Sequence, residues 1–208
     1  DQVDEFITRI LRARLDEQVG RAGWLWASLK AGLTNLQSQS RAWQVGEVHY
    51  DLGNDLYEAM LDPSLAYSCG YWAQAHNLAQ AQVAKLDLIC RKLQLAPGMT
   101  LLDIGCGWGS LMLYAARHYG VQCVGLTISK EQARLGTANA QGLPVRIELA
   151  DYRQFNAQGE QCFDRIASVG MFEHVGHKNY RAYFDIARRC LRDDGLFLLH
   201  TIGKNRAG

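Results

Sequence analysis

The chain has 208 residues and a net charge of +1, and 48% of its residues are hydrophobic against 21% charged. This balance excludes an intrinsically disordered chain and predicts one globular domain with an appendage. The near-zero net charge creates no field for a polyanion, so we expect no nucleic-acid partner. No apolar run approaches the roughly 18 residues needed to span a bilayer, so any membrane contact should be peripheral.

The six cysteines show no CxxC pair and no zinc-like spacing, and the first residues lack the apolar stretch of a secretory signal. We therefore expect a cytoplasmic protein with reduced thiols and no metal site. The cysteines are Cys69, Cys90, Cys106, Cys123, Cys162 and Cys190.

Residues 1–41 are predicted to form a small helical piece. Apolar residues recur at helical spacing over 3–19, and a second helical stretch, 23–36, ends at the polar run 37–40, which we interpret as a linker. The second stretch fits two alternatives: contact with a membrane interface, or packing on the protein body or on a second subunit of a homodimer. Packing is favoured because the polar face is not strongly basic.

The rest of the chain, 42–208, is predicted to form an α/β domain. An aromatic-rich segment, 46–72, precedes a helix that begins after Asn77 as N-cap and runs to Leu95. Five apolar runs then alternate with helical stretches, which is the pattern of right-handed βαβ crossovers and a doubly wound parallel sheet. The predicted strands are 99–104, 121–126, 144–149, 163–168 and 195–202, and the later helices are 109–119, 129–141 and 178–191.

A glycine-rich turn, Gly105 to Gly109, joins the first predicted strand to the next helix, where open α/β sheets bind ligands. A dinucleotide would place its pyrophosphate on the helix N-terminus and needs an acidic residue about 20 positions on for its ribose. Asp103 would instead oppose an anion, and residues 121–130 contain no Asp or Glu. A ligand without phosphates and with a cationic end fits better, and S-adenosylmethionine is the common one. The turn alone also fits other nucleotides.

Seven motifs, in order along residues 42–203, resemble the cyclopropane-fatty-acyl-phospholipid synthases. These S-adenosylmethionine-dependent enzymes form one family with the mycolic-acid cyclopropane synthases, and their fold is that of a methyltransferase. The motifs are HYDLGNDLY (49–57), LDPSLAYSCGYW (61–72), LLDIGCGWGS (101–110), GLTISKEQ (125–132), ADYRQF (150–155), VGMFEHVG (169–176) and LLHTIG (198–203).

The resemblance implies contacts with S-adenosylmethionine from four segments of the chain. In this family a Thr that ends the second strand, and a Gln after it, replace the carboxylate of many other methyltransferases. The residues alone leave open that Thr127 only caps a helix and that Tyr152 only packs. The implied contact residues are Tyr67, Ser68, Leu101, Leu102, Asp103, Ile104, Gly105, Cys106, Gly107, Trp108, Gly109, Thr127, Ile128, Ser129, Lys130, Glu131, Gln132, Tyr152 and Arg153.

Methylation of an alkene uses a neutral π bond as the nucleophile and gives a carbocation. That cation must be kept from water, stabilised by π faces and then deprotonated so that a ring closes. The aromatic-rich segment can supply such an enclosure. For Tyr57 and Trp72, packing of a loop is an equal alternative. The candidate aromatic residues are Tyr50, Tyr57, Tyr67, Tyr71 and Trp72.

Two residues at the expected ligand-binding edge, Glu173 and His200, are candidates for the late base. Cys69 joins them because it lies beside the implied cofactor contacts Tyr67 and Ser68. A histidine in an apolar run is more often a core residue, and a single cysteine is usually inert. The resemblance implies a bicarbonate ion as proton acceptor, held by these three side chains and a main-chain group near Ile202. We expect the anion to raise the pKa of Glu173 so that the two share a proton, and Cys69 to be a ligand and not a nucleophile.

Compared with the family that it resembles, the sequence differs at both ends. The sequence stops soon after the fifth predicted strand, where such sheets usually carry two more strands. We therefore expect a C-terminally truncated chain with poor solubility and little activity alone, because its fifth strand becomes an exposed apolar edge. Residues 1–41 would be the remnant of the helical N-terminal domain found in members that act on phospholipids.

The predicted function is transfer of a methylene group from S-adenosylmethionine to a cis double bond of an unsaturated phospholipid acyl chain, which forms a cyclopropane ring. Such a substrate implies a cytoplasmic protein that is peripheral at the inner face of the membrane. Two alternatives stay open. One is a methyltransferase that acts on the alkene without ring closure, and the other is a non-catalytic module that binds S-adenosylmethionine or lipid.

Overall fold

A computed structural model of the chain describes residues 3–13, 54–155 and 162–203. The predicted second helical stretch, the polar linker and Tyr50 lie outside the described residues. Among the helices that the structure describes, none is long and apolar enough to cross a bilayer.

The chain divides into two compact units, Asp1–Leu36 and Gln37–Gly208. The described part of the first unit is helix α1, Val3–Arg12. Its exposed apolar side chains include Phe6, Ile7 and Ile10. The domain boundary that the sequence suggests at residue 41 stays a prediction.

The second unit is built on five strands, β1 (Thr100–Ile104), β2 (Gln122–Thr127), β3 (Val145–Leu149), β4 (Phe163–Val169) and β5 (Leu191–His200). They pair in parallel in the order β3-β2-β1-β4-β5. The predicted doubly wound parallel sheet is thereby confirmed. The strand order reverses between β1 and β4, and a crevice at the carboxyl ends of such strands is where open α/β sheets bind ligands.

The fifth strand begins at Leu191, several residues earlier than the apolar run suggests. Leu191 pairs with Phe163, the ladder is then irregular, and regular pairing resumes where Arg165 meets Leu196. The polar run 192–194 falls inside this irregular part, so its composition is typical of a loop although the backbone stays extended.

Five described helices belong to this unit: α2 (Asn54–Met60), α3 (Leu78–Lys92), α4 (Ser110–Tyr119), α5 (Lys130–Asn139) and α6 (Tyr180–Cys190). As predicted, Asn77 caps α3, because its Oδ1 accepts from the backbone N–H of Gln80 at 2.9 Å. This helix ends earlier than predicted, since Gln94 has a φ of 51° that an α-helix does not accommodate. Helix α2 has no counterpart among the predicted elements, where its residues belong to the irregular aromatic segment.

Apolar side chains pack on both faces of the sheet in two clusters. Along β1, Leu101 joins the cluster that contains residues of α3 and α4, whereas Leu102 and Ile104 join the cluster that contains residues of α6. This alternation follows from the twofold repeat of a strand. Because both faces are covered, the carboxyl edge is the part of the sheet left for a ligand.

Candidate functional site

The glycine turn lies between β1 and α4, and its backbone requires glycine. Gly105, Gly107 and Gly109 have φ values of 84°, 58° and 88°, which lie in the left-handed region. A Cβ on Gly105 would lie 2.5 Å from Cγ of Met171, so this position has no room for a side chain. The backbone N–H of Gly105 donates to the carbonyl of Leu126 at 3.0 Å and fixes the turn on β2.

Asp103 places a carboxyl group in β1 just before this turn. It is 3% exposed, and burial raises its pKa to about 7. The Leu101, Leu102 and Ile104 side chains are fully buried in the core. A contact of these residues with the cofactor would therefore come from their main chain, and it stays a prediction. Burial also raises the pKa of the Cys106 thiol, which makes it unreactive.

Trp108 links the glycine turn to α2. Its indole N–H donates to Oδ1 of Asn54 at 2.9 Å, and its ring centroid lies 4.8 Å from that of Tyr57. Asn54 in turn donates to Oε2 of Glu131 on α5 at 3.2 Å. Tyr57 is 5% exposed, which supports the packing alternative for this residue.

Thr127, Ser129 and Gln132 form a buried hydrogen-bonded turn between β2 and α5. The Thr127 hydroxyl donates to Oε1 of Gln132 at 2.8 Å and accepts from the backbone N–H of Ser129 at 3.2 Å. The Ser129 hydroxyl caps α5 by accepting from the N–H of Gln132 at 3.2 Å. Ser129, and not Thr127, is therefore the residue that caps α5, while the Thr127 hydroxyl holds the Gln132 amide in one orientation. Between them, Ile128 is half-buried and Lys130 is exposed.

Asp151 organises the turn that presents Tyr152 and Arg153 after β3. Its carboxylate is 1% exposed and accepts from the backbone N–H and from Nε of Arg153, both at 2.9 Å. The buried Tyr152 ring meets the Tyr183 ring edge-on at 5.4 Å. Asp151 is not among the predicted site residues, although an Asp directly before a short 3-10 turn, Tyr152–Gln154, is a helix-cap signal.

Helix α3 holds the segment 66–69, which contains two of the predicted cofactor contacts, Tyr67 and Ser68, and the predicted catalytic residue Cys69. The Gln82 amide donates to the carbonyls of Ala66 and Ser68 at 3.1 and 2.8 Å, and Lys85 Nζ donates to Oγ of Ser68 at 2.7 Å. Both α3 side chains are buried. Neither residue is among the predicted site residues, because a polar residue on an amphipathic helix usually faces water.

Three of the predicted aromatic residues lie on the surface near this segment. Tyr67, Tyr71 and Trp72 are 55%, 47% and 54% exposed. The Tyr67 ring meets the buried Tyr57 ring edge-on at 5.4 Å. Their exposure leaves these rings free to contact an apolar ligand, and for Trp72 it disfavours the packing alternative.

The four predicted catalytic residues meet in two pairs. Cys69 Sγ lies 3.6 Å from Nε2 of His200, although 131 positions separate them in the chain. Glu173 follows β4 in the short turn Phe172–His174, and its Oε1 accepts from the backbone N–H of Ile202 at 2.6 Å. Nδ1 of His200 is buried and has no hydrogen-bond partner among the residues that the structure describes.

The two pairs lie at one corner of the sheet because β4 and β5 end side by side. Val169 pairs in register with His200, and the N–H of Gly170 donates to the His200 carbonyl at 3.0 Å. A Cβ on Gly170 would lie 3.5 Å from Cβ of Ser68, so the segment 66–69 reaches the same place. We call Cys69, Glu173, His200 and Ile202 the edge corner.

Glu173 has a lowered pKa in this structure, since two opposing effects act on it. Burial raises the pKa, but hydrogen bonds from the backbone N–H groups of Glu173 and Ile202, followed by the Thr201 side chain, bring it below its usual value. The raised pKa that we expect for Glu173 when it faces an anion stays a prediction.

All six cysteines are free thiols. Burial raises the pKa of Cys90 and Cys123 to about 12. Cys69 is the exposed one, and it lies in the edge corner. Across residues 3–13, 54–155 and 162–203, no cluster of three His, Cys, Asp or Glu side chains is placed to hold a metal ion.

Comparison with known proteins finds the mycolic acid cyclopropane synthetase family, whose model matches residues 37–207. The cyclopropane-fatty-acyl-phospholipid synthase of Escherichia coli (strain K12) is 53% identical over 214 residues, which covers 99% of this chain and 53% of that protein. Cyclopropane mycolic acid synthase 1 of Mycobacterium tuberculosis (strain H37Rv) is 48% identical over 161 residues, which covers 75% of this chain and 55% of that protein. The chain therefore spans about half the length of the curated relatives it matches.

Solved structures give a matching result. The mycolic acid cyclopropane synthase CmaA1, complexed with SAH and CTAB, superposes with a TM-score of 0.70 at 45% identity, covering 76% of this chain and 55% of that one. Coclaurine N-methyltransferase, bound to N-methylheliamine and SAH, superposes with a TM-score of 0.75 at 26% identity, covering 95% and 59%. The predicted family resemblance and the predicted methyltransferase fold are both confirmed.

Proposed function

Because the chain belongs to the mycolic acid cyclopropane synthetase family, we propose that the protein transfers a methylene group from S-adenosylmethionine to a cis double bond of an unsaturated phospholipid acyl chain. The observation that supports this most is the edge corner. A thiol, an imidazole and a carboxylate from three distant parts of the sequence converge where β4 and β5 end, on the sheet edge that also carries the glycine turn.

The residues around the glycine turn fit S-adenosylmethionine better than a dinucleotide. Asp103 contributes a carboxyl group whose ionisation a nearby cation would favour, and the turn has open space around Gly107. The segment 66–69, the Thr127 turn and Tyr152 complete the set of groups that would hold the cofactor. When bound, S-adenosylmethionine supplies a methyl group activated by a sulfonium.

The edge corner fits a small proton-accepting anion, and we propose bicarbonate. Nδ1 of His200 lacks a partner among the described residues, and Cys69 lies against the other ring nitrogen, so both groups have capacity left for a ligand. Such an ion supplies a basic oxygen when bound. Because Glu173 is held ionised in the structure, it would repel an anion unless a proton lies between them. We therefore retain the proposal that Glu173 carries that shared proton.

The reaction also needs an apolar surface around the double bond, because a carbocation is quenched by water. Tyr67, Tyr71 and Trp72 expose their rings and supply π faces that stabilise a cation. An acyl substrate of a phospholipid requires contact with a bilayer, so we propose a cytoplasmic protein that associates peripherally with the inner face of the membrane. A homodimer remains part of this proposal.

A lipid assay tests the function. The protein is expressed from its intact gene, purified and incubated with S-adenosylmethionine and phosphatidylethanolamine vesicles that contain cis-unsaturated acyl chains, and the fatty acids are analysed by gas chromatography and mass spectrometry. We expect a product with one added CH₂ and no double bond reducible by hydrogenation. A branched alkene of the same mass, formed when the cation loses a proton from a neighbouring carbon, would keep a double bond reducible by hydrogenation and would indicate methyl transfer without ring closure. Binding of S-adenosylhomocysteine with no lipid product would indicate a non-catalytic module.

A further inference from the structure

Lys85 is a buried cation that the proposed reaction does not use. Its side chain lies on α3, one turn after Gln82, and is 5% exposed. Its ammonium group donates to a neutral hydroxyl, Oγ of Ser68, at 2.7 Å. No carboxylate of the described residues lies within ion-pair distance of it, and burial lowers its pKa.

The hydrogen bond to Ser68 alone does not explain a buried charge. A neutral donor would satisfy a hydroxyl with less desolvation than an ammonium group, and Gln82 already provides neutral donors to the same segment. Buried charges in proteins are normally paired with an opposite charge. The two acidic groups that influence Lys85, Cys69 and Asp62, raise its pKa less than burial lowers it. The acidic groups of the described residues therefore do not offset the desolvation of the Lys85 ammonium group.

Ser68 is the group through which Lys85 can act on a ligand. A serine hydroxyl has one proton and two acceptor positions. Because Oγ accepts from Lys85, its own proton remains to be donated, and the structure gives no acceptor for it among the described residues. Ser68 also lies next to Gly170 at the end of β4, so this proton is available at the carboxyl edge of the sheet.

We propose that Lys85 is a positioning residue for the cofactor: it orients the Ser68 hydroxyl and supplies the positive charge against which the amino-acid carboxylate of S-adenosylmethionine binds. This inference rests on the proposed function, since it takes the cofactor as given. The carboxylate is the one anionic group of that molecule. Bicarbonate, expected beside Cys69, presents the same carboxylate-type chemistry, so the experiment separates the two sources.

Calorimetric titration of the purified protein with S-adenosylhomocysteine and with 5′-methylthioadenosine tests the inference. The second ligand keeps the nucleoside and thioether but lacks the amino-acid part. We expect Lys85→Met to weaken S-adenosylhomocysteine binding about tenfold, the size of one charge-assisted contact, and to leave methylthioadenosine binding unchanged. The matched control is Lys92→Met, an exposed lysine of the same helix, which should change neither dissociation constant.

A purely structural role for Lys85 predicts different results. Equal weakening of both ligands, or an unchanged S-adenosylhomocysteine affinity, would overturn the inference, while failure of the unsubstituted protein to bind S-adenosylhomocysteine would overturn the proposed function itself. If Lys85→Met does not fold, Ser68→Ala replaces it, and the same selective loss is expected. In the folded case the double variant should bind no more weakly than the weaker single variant, because both residues act on one contact.

A kinetic measurement tests whether Lys85 instead acts on bicarbonate. The half-saturating bicarbonate concentration for lipid methylenation should be the same in Lys85→Met and in the unsubstituted protein. A rise in that concentration, with unchanged S-adenosylhomocysteine affinity, would assign the charge to bicarbonate and overturn the cofactor assignment.

Discussion

The glycine-turn region and the edge corner differ in how far the protein itself satisfies their polar groups. Around the glycine turn, Thr127, Ser129 and Gln132 bond to one another, and Gly105 bonds to β2. At the edge corner, the buried Nδ1 of His200 has no partner among the described residues. The first region is organised before any ligand arrives, whereas we propose that a bound anion completes the second.

Substitutions in the edge corner should therefore remove activity without removing cofactor binding. We expect Glu173→Gln and His200→Ala each to lower the rate of lipid methylenation roughly 10²–10⁴-fold, the range for loss of a proton-transfer group. The dissociation constant for S-adenosylhomocysteine should change little. His118→Ala, an exposed histidine on α4, is the matched control. Full activity of Glu173→Gln would contradict the role of the carboxyl group.

Asp103 should show the opposite behaviour, with a gain in stability and a loss in binding. A carboxyl group whose pKa rises from 3.8 to about 7 on folding destabilises the folded state as pH rises through that interval. Asp103→Asn should thus raise the free energy of unfolding by on the order of a few kcal/mol at pH 8 and have little effect near pH 4. Urea unfolding at both pH values measures this difference.

The loss of binding should be seen in titrations of Asp103→Asn with S-adenosylhomocysteine, which has a cationic ammonium group. We expect Asp103→Asn to weaken its binding, because the carboxylate is lost. A gain in stability that is the same at pH 4 and pH 8 would contradict the burial of an ionisable carboxyl group at this position.

Alanine substitutions at two glycines of the turn should have smaller effects on stability, and the difference between them should be purely steric. In Gly107→Ala the new methyl group points into open space. The free energy of unfolding should therefore fall only by the cost of a positive φ, about 1 kcal/mol. Gly105→Ala has the same backbone cost, and its methyl group also displaces Met171. We therefore expect a loss of about 3 kcal/mol in the free energy of unfolding. Equal losses for the two variants would show that Met171 moves aside freely.

Local patterns in the sequence were sufficient to predict the sheet but not to predict every residue of the candidate site. Apolar runs predicted the strands, because parallel strands are buried on both faces and their composition shows it. The start of β5 was missed since the irregular pairing after Leu191 tolerates a polar run. Helix α2 was missed because its short sequence lies within an irregular aromatic segment and lacks a clear apolar repeat.

The candidate site likewise contains residues that local motifs predict and residues that they do not. The glycine turn is a local motif and could be recognised from the residues themselves. The contact of Cys69 with His200 joins positions far apart in the chain, so it was expected only from the family resemblance. Lys85 and Gln82 were missed because nothing local distinguishes a polar residue that faces a neighbouring segment from one that faces water.

The central claim is that Cys69, Glu173 and His200 bind a proton-accepting anion beside the cofactor. Its most direct test is the initial rate of cyclopropane formation in buffer freed of carbon dioxide, followed by addition of bicarbonate at constant pH. We expect a low rate that rises and saturates with bicarbonate in the unsubstituted protein, and no such rise in Glu173→Gln. A full rate without bicarbonate, unchanged by its addition, would show that no bicarbonate ion accepts the proton.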